Sequence, residues 1–219
     1  MIDVARQDYP DRDTLMRSLA ELVADQLRAA HATKRRASLA VPGGTTPGPF
    51  LAALAEADLA WSEIDVIPTD ERQVSELSHR SNARLIRETL LRGPAEAAHF
   101  IPLQDGARKL EPILPLDVLV LGMGADMHTA SLFPGAPQLG AALAEGAPPL
   151  MEIAPPSQPE KRITLTGPVI AGASVIHVLI TGADKLAALE TALQEGPVAA
   201  APIRVALTAP CPVTVHYAD

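Results

Sequence analysis

Two side chains able to exchange protons stand two residues apart in GMGADMHTASLFPG (residues 122–135): Asp126 and His128. The apolar run LDVLVL precedes them, so the pair arrives at the end of what reads as a buried strand. Imidazole works as a general acid or base near neutral pH, and that is the chemistry the position offers. A serine triad is excluded, because the chain has no G-x-S-x-G elbow. GMGADM resembles the start of a dinucleotide fingerprint, but Met127 stands where the third glycine belongs. Pro134 and Pro137 also deny the long crossover helix that such a unit needs. His31, His79, His99, His177 and His216 lack a comparable setting and read as structural or surface residues.

Four further segments could hold an anion or a sugar. GGTTP (43–47) places Thr46 at an N-cap and Pro47 at the first position of a helix, while Gly43 and Gly44 let backbone amides approach a ligand. A loop opening a helix suits phosphate, although a tight turn before a capped helix fits equally well. It is no Walker A loop, since the G-K-[ST] ending is missing. In TDER (69–72), Asp70, Glu71 and Arg72 follow a strand and form either a site wall or a solvated loop with local ion pairs. Arg162 opens RITLT, where a guanidinium could grip phosphate bidentately. Lys185, in GADK, falls in the first turn of a helix, against the positive end of the dipole. An anion between the two would resolve that conflict; an exposed lysine is the plainer alternative.

Positioning these residues requires strands that end where the motifs begin. ASLAVP (37–42), IDVIPTD (64–70), LDVLVLG (116–122), RITLT (162–166), SVIHVLIT (174–181) and VTVHY (213–217) read as strands. A first helix follows Asp13 as N-cap and carries Leu15, Leu19, Leu22, Val23, Leu27 and Ala30 at helical spacing. Pro47–Ala57, Ser81–Leu91 (capped by Ser81 or Asn82) and residues 183–194 read as further helices. Apolar strands alternating with amphipathic helices imply a parallel sheet covered on both faces, and one α/β domain over 1–219. Ligands collect at the carboxyl ends of such strands, where VPGGTTP, PTDER, GMGADMH and ITGADK lie.

Composition narrows the partners. A formal net charge of −8 argues against a general nucleic-acid binder, but not against a small anion held by a few convergent cations. The uncharged stretch from Ile163 to Ala183 is long enough to span a bilayer. Gly167, Pro168, Gly172, His177 and Gly182 break it into soluble elements, so no membrane partner is expected. The N-terminus lacks a secretory pattern. One cysteine, Cys211, permits neither an internal disulfide nor a metal-ligand spacing, and suggests a reducing, cytoplasmic setting.

In this order, GGTTP, DER, SNARLIRETLL, LGMGADMHTASLFPG, RITLT and GADK resemble the 6-phosphogluconolactonases, which open the lactone made in the first oxidative step of the pentose phosphate pathway. The resemblance runs from about residue 38 to 190, with HTASLFPG its most specific piece. It implies a three-layer α/β/α sandwich with a mostly parallel, Rossmann-like sheet, shared with glucosamine-6-phosphate deaminases and ribose-5-phosphate isomerases, that does not bind NAD. It further implies His128 as the catalytic histidine, with Asp70 and Arg72 as the acidic–basic pair lining the sugar. Gly43, Gly44, Thr45 and Thr46 then form the phosphate loop, and Arg162 and Lys185 complete the anion site. Neither metal nor cofactor is implied, and the expected partner is a small phosphosugar lactone bound by a monomer or small homo-oligomer. A sugar-phosphate isomerase or deaminase using Asp70 remains an alternative, as does a non-catalytic phosphosugar-binding protein.

One departure stands out. The family reads Asp-Gly-His where this chain has Asp126-Met127-His128. If the turn keeps a positive φ at its middle residue, Met127 carries about 1 kcal/mol or more of strain. A rearranged turn with negative φ is the other outcome.

Overall fold

A computed structural model describes residues 1–156 and 158–219. In chain order the elements are β1 (Ala5–Asp8), α1 (Arg12–Thr33), β2 (Ala37–Val41), α2 (Gly48–Ala55), β3 (Ile64–Pro68), β4 (Asp70–Arg72), α3 (Asn82–Thr89), β5 (His99–Phe100) and α4 (Ala107–Leu110). There follow β6 (Val118–Gly122), α5 (Leu139–Leu143), β7 (Leu150–Ile153), β8 (Arg162–Leu165), α6 (Gly167–Ala171), β9 (Ile176–Thr181), α7 (Ala183–Ala192), α8 (Arg204–Leu207) and β10 (Val213–Ala218).

Seven strands form one sheet in the order β1-β10-β9-β6-β2-β3-β5, and every pair in it is parallel. Buried runs such as VLVLG make this possible, because both sheet faces are covered. Val118 and Val120 of β6 pack into a core with α1, α2 and α3, while Leu119 and Leu121 point into the opposite core with α5 to α8. This is the expected three-layer arrangement. On α1, Leu15, Leu19, Val23 and Leu27 are fully buried. Each contributes about 1.5–3 kcal/mol, more than an exposed pair such as Arg28–Asp25 on the same helix.

Several elements differ from the sequence expectation. Asp11, not Asp13, caps α1: its carboxylate accepts from Thr14 N at 2.7 Å. Pro47 already has αR dihedrals (φ −79, ψ −8) and occupies the cap position of α2, so Thr46 is not its N-cap and no side chain caps that helix. IDVIPTD is not one strand. Pro68 has no amide for the ladder, and the chain changes sheets at Thr69. Thr69 N still donates to Val41 O (2.9 Å), while Thr69 O accepts from Leu165 N (3.0 Å). DER therefore becomes β4 of a second, antiparallel sheet ordered β4-β8-β7. RITLT, expected in the parallel sheet, is the central strand of this one, with Arg72 registered opposite Arg162. β1, β5 and β7 carry no long apolar run, which left them without a sequence signal.

The topology locates a cleft. From β2 the chain moves to β3 and β5 on one side; from β6 it moves to β9 and β10 on the other. β2 and β6 are neighbours, so their carboxyl ends flank the switch point, and GGTT and GMGADMH leave those two ends.

Candidate active site

At the switch point lies a cleft of about 310 Å³, a size suited to a small phosphorylated metabolite. Gly43, Gly44, Thr45 and Thr46 form one wall. Gly44 has φ +92, a conformation that other residues rarely adopt. Gly43 is required for a different reason: a Cβ there would lie 2.0 Å from Asn82 Oδ1.

Across the cleft, Asp70 and Arg72 come from β4 and Arg162 from β8. Asp70 and Glu71 are buried rather than solvated, and of the TDER segment Thr69, Asp70 and Arg72 line the cleft. Asp70 Oδ2 accepts a 2.5 Å hydrogen bond from Ser131 Oγ, and Oδ1 accepts from Asn82 Nδ2 at 3.2 Å. Glu71 turns away from the cleft and caps α3. It accepts from Asn82 N (2.8 Å), Ala83 N (2.7 Å) and Ser81 Oγ (3.0 Å), satisfying amides that a helix start leaves open.

The cations are short of partners. Arg162 is 3% exposed; its Nη1 lies 4.0 Å from Asp70 Oδ2 and its Nη2 donates to Gln158 Oε1. Arg72 Nη1 donates to Arg80 O at 2.6 Å. The Nε atoms of Arg72 and Arg162 are both buried without a hydrogen-bond partner among the described residues. Burial pushes the Arg162 guanidinium below its usual range, with Asp70 opposing and Arg72 adding to the shift. Burial likewise lowers the Lys185 ammonium, which enters the cleft from the first turn of α7. Buried cations with spare donors are chemically suited to an anion.

His128 lines the cleft beside them. Its Nδ1 lies 2.5 Å from Asp126 Oδ1, and its backbone N donates to the same oxygen at 3.3 Å. The hydrogen bond from His128 holds the Asp126 carboxyl below its usual range, so Asp126 is an ionised acceptor. Nδ1 must then carry the proton, which leaves the lone pair on Nε2, unpartnered among the described residues. Phe133 packs on the imidazole at 4.4 Å between centroids. Gly124 makes room for the ring, since a Cβ there would lie 2.2 Å from His128 Nδ1. Met127 has φ 65, so the turn keeps a positive φ with a methionine in it.

Every site residue expected from the sequence therefore meets at one cleft. Asn82, Ser131, Phe133 and Gln158 were not singled out for it, although Asn82, a candidate cap, lies inside SNARLIRETLL and Ser131 and Phe133 inside HTASLFPG; Gln158 had no sequence signal. Among the described residues, no three His, Cys, Asp or Glu side chains gather as a metal site requires, and no helix is long and apolar enough to cross a membrane.

The model for glucosamine-6-phosphate isomerases/6-phosphogluconolactonase matches residues 10–214. A 6-phosphogluconolactonase of Pseudomonas aeruginosa is 44% identical over 214 residues, covering 92% of this chain and 89% of that protein. One from Mesorhizobium japonicum is 42% identical over 224 residues, covering 96% and 93%. The crystal structure of a 6-phosphogluconolactonase from Shewanella baltica superposes with a TM-score of 0.96 at 33% identity, over 100% of both chains.

Proposed function

This chain belongs to the glucosamine-6-phosphate isomerase/6-phosphogluconolactonase family, and we propose that His128 is the general base of its reaction. That reaction is hydrolysis of 6-phospho-D-glucono-1,5-lactone to 6-phospho-D-gluconate, the second step of the oxidative pentose phosphate pathway. The observation that carries the mechanism is the Asp126–His128 hydrogen bond, which fixes the tautomer with a basic Nε2 opposite a set of under-partnered cations.

A lactone carbonyl is electrophilic enough for water to attack without a covalent enzyme intermediate. Nε2 of His128 removes a proton from water as its oxygen bonds to the lactone carbonyl carbon. Arg72 or nearby amides stabilise the oxyanion. The tetrahedral intermediate then collapses, the bond to the ring oxygen breaks, and the imidazolium returns its proton to that oxygen. The products are a carboxylic acid, which ionises, and a free hydroxyl. The phosphate, gripped by the Gly43–Thr46 loop, Arg162 and Lys185, supplies remote binding energy that orients the carbonyl.

Asp70 bears on the isomerase alternative. Moving a proton between adjacent carbons would need Asp70 as the base, and its two oxygens are instead tied into the wall by hydrogen bonds from Ser131 and Asn82 and face Arg162. We therefore assign Asp70 to ordering the cleft wall and holding Arg162. The proposed setting is a cytoplasmic monomer or small homo-oligomer.

The test is lactone hydrolysis, corrected for the spontaneous reaction, by wild type and His128→Ala, with ammonia release from an amino-sugar phosphate assayed in parallel. Lactone turnover lost in the variant supports the assignment. Wild-type turnover in His128→Ala removes His128 as the base, and ammonia release would favour the deaminase reading.

A further inference from the structure

The turn that carries His128 accepts a hydrogen bond from Ile203, the neighbour of a buried arginine in another part of the chain. Met127 (φ 65) and Ala130 (φ 49) are the non-glycine residues with positive φ among those described. Each costs on the order of 1 kcal/mol and persists only where its surroundings over-determine it. Inside the turn, Met127 N donates to Gly124 O (2.9 Å) and Gly124 N to His128 O (3.0 Å). The Met127 carbonyl is fixed from outside: it accepts from Ile203 N at 3.0 Å, the residue that leads into α8.

At four residues, α8 is too short to be stable alone. Arg204, 6% exposed, anchors its first turn. The side chain donates to four backbone carbonyls: Nε to Ala192 O (2.8 Å), Nη1 to Pro197 O (3.0 Å), and Nη2 to Thr191 O (3.2 Å) and Gln194 O (2.8 Å). These oxygens sit at and just beyond the C-terminus of α7, where a helix leaves carbonyls open and its dipole is negative. Gly196 leaves the space, since a Cβ there would lie 2.8 Å from Arg204 Nη1. No carboxylate pairs with Arg204 among the described residues.

We infer that Arg204 is a positioning residue: through the Ile203 N–H it holds Met127 in the left-handed conformation and so sets how His128 meets the lactone. The inference rests on His128 being the general base. It also explains how a methionine is accommodated at a φ that favours glycine. Glycine would take this φ unaided, whereas Met127 needs the external hydrogen bond. α7 connects the two halves of the site, bearing Lys185 in its first turn and the Arg204 clamp at its end.

A rescue experiment tests this on the full chain. Arg204→Met, Arg204→Lys, Met127→Gly and the two double variants are compared in kcat, KM and Tm, with His128→Ala alongside. Arg204→Met is expected to lower kcat by about 10- to 100-fold, the scale of a displacement of roughly 1 Å at the reacting groups. KM should move little and Tm should fall. Adding Met127→Gly should restore most of kcat while leaving Tm low, because glycine replaces the brace on the turn but not the clamp on α7. A merely structural arginine would give no such selective rescue. Wild-type kcat in the folded Arg204 variants, or a loss that Met127→Gly leaves in place, overturns the inference. If Arg204→Met does not fold, Arg204→Lys and its double variant carry the same comparison. Wild-type turnover in His128→Ala would overturn the His128 assignment instead, so the two failures are distinguishable.

Discussion

Two groups of histidines in this molecule are held in opposite settings. His128 sits at a strand end with a side chain 28% exposed, one nitrogen committed to Asp126 and the other unpartnered among the described residues. His177 and His216 lie inside the sheet, each 1% exposed, with all four ring nitrogens engaged. Tyr9 OH donates to His216 Nδ1 (2.9 Å), His216 Nε2 to His177 Nδ1 (3.0 Å), and His177 Nε2 to Gln26 Oε1 (2.7 Å). Gln26 offers an acceptor here, so the proton directions in this chain are settled and both imidazoles are neutral. Burial drives His177 down to about 3, with His216 adding to the shift, and drives His216 down to about 4. A histidine with every nitrogen satisfied stabilises the fold, and one with a spare lone pair beside a cleft can do chemistry. Burial alone does not separate structural from reactive residues; completeness of hydrogen bonding does.

The contrast is broken most directly by exchanging the losses. His128→Ala should lower kcat by about 10²- to 10⁴-fold with little change in Tm, whereas His177→Ala should leave kcat of the folded enzyme intact and cost about 1–3 kcal/mol through the stranded partners. Steady-state kinetics and urea denaturation of both variants check this, and reversed signatures would dissolve the distinction. Next in size, Arg162→Ala and Lys185→Ala should each weaken a phosphorylated ligand by about 1.5–3 kcal/mol and its unphosphorylated analogue far less. Calorimetric titration of both ligands decides it, and equal losses would assign these residues to folding. Acid sharpens the comparison further. His177 and His216 have folded pKa values below the ordinary unfolded value, so the unfolded chain takes up protons first and stability falls as pH drops from about 6.5 towards 4. Each contributes a slope of up to about 1.4 kcal/mol per pH unit, measurable as denaturation midpoints between pH 7 and 5. The smallest effect belongs to Met127→Gly. Relief of about 1 kcal/mol of strain is offset by unfolded-state entropy and lost packing against the core. The net change in stability should lie within about 1 kcal/mol, with kcat kept or raised; a markedly less stable glycine variant would show that the methionine's packing outweighs its strain.

Strand–helix alternation made the central sheet legible, because runs such as VLVLG must be buried on both faces and have few other homes. The site residues were legible because each follows such a run or opens the next element. What escaped has a common physical character. β8 pairs antiparallel with β7 across 9 to 15 residues but with β4 across 90 to 94 (Arg72–Arg162 to Asp70–Thr164), and nothing local in DER or RITLT encodes that long pairing. Glu71 reads as one more charge in a loop, yet four donors, from Arg72, Ser81, Asn82 and Ala83, consume it. Arg204 shows no motif at all, since its partners are backbone carbonyls, and any sequence supplies those. The positive φ at Met127 was accessible only as a conditional, through the glycine that the family carries there.

The register that sets Arg72 directly opposite Arg162 also makes the protein's thermal endurance a function of what fills the cleft. Like charges facing each other across an antiparallel pair repel, and two buried Nε donors there lack acceptors among the described residues. Under the proposed assignment of the cleft, a phosphate group bound between these guanidinium groups would offset that repulsion and raise the stability of the fold. By mass action, an anion at about a hundred times its dissociation constant adds about 2.7 kcal/mol. Melting temperature should then rise with inorganic phosphate or 6-phosphogluconate even without turnover.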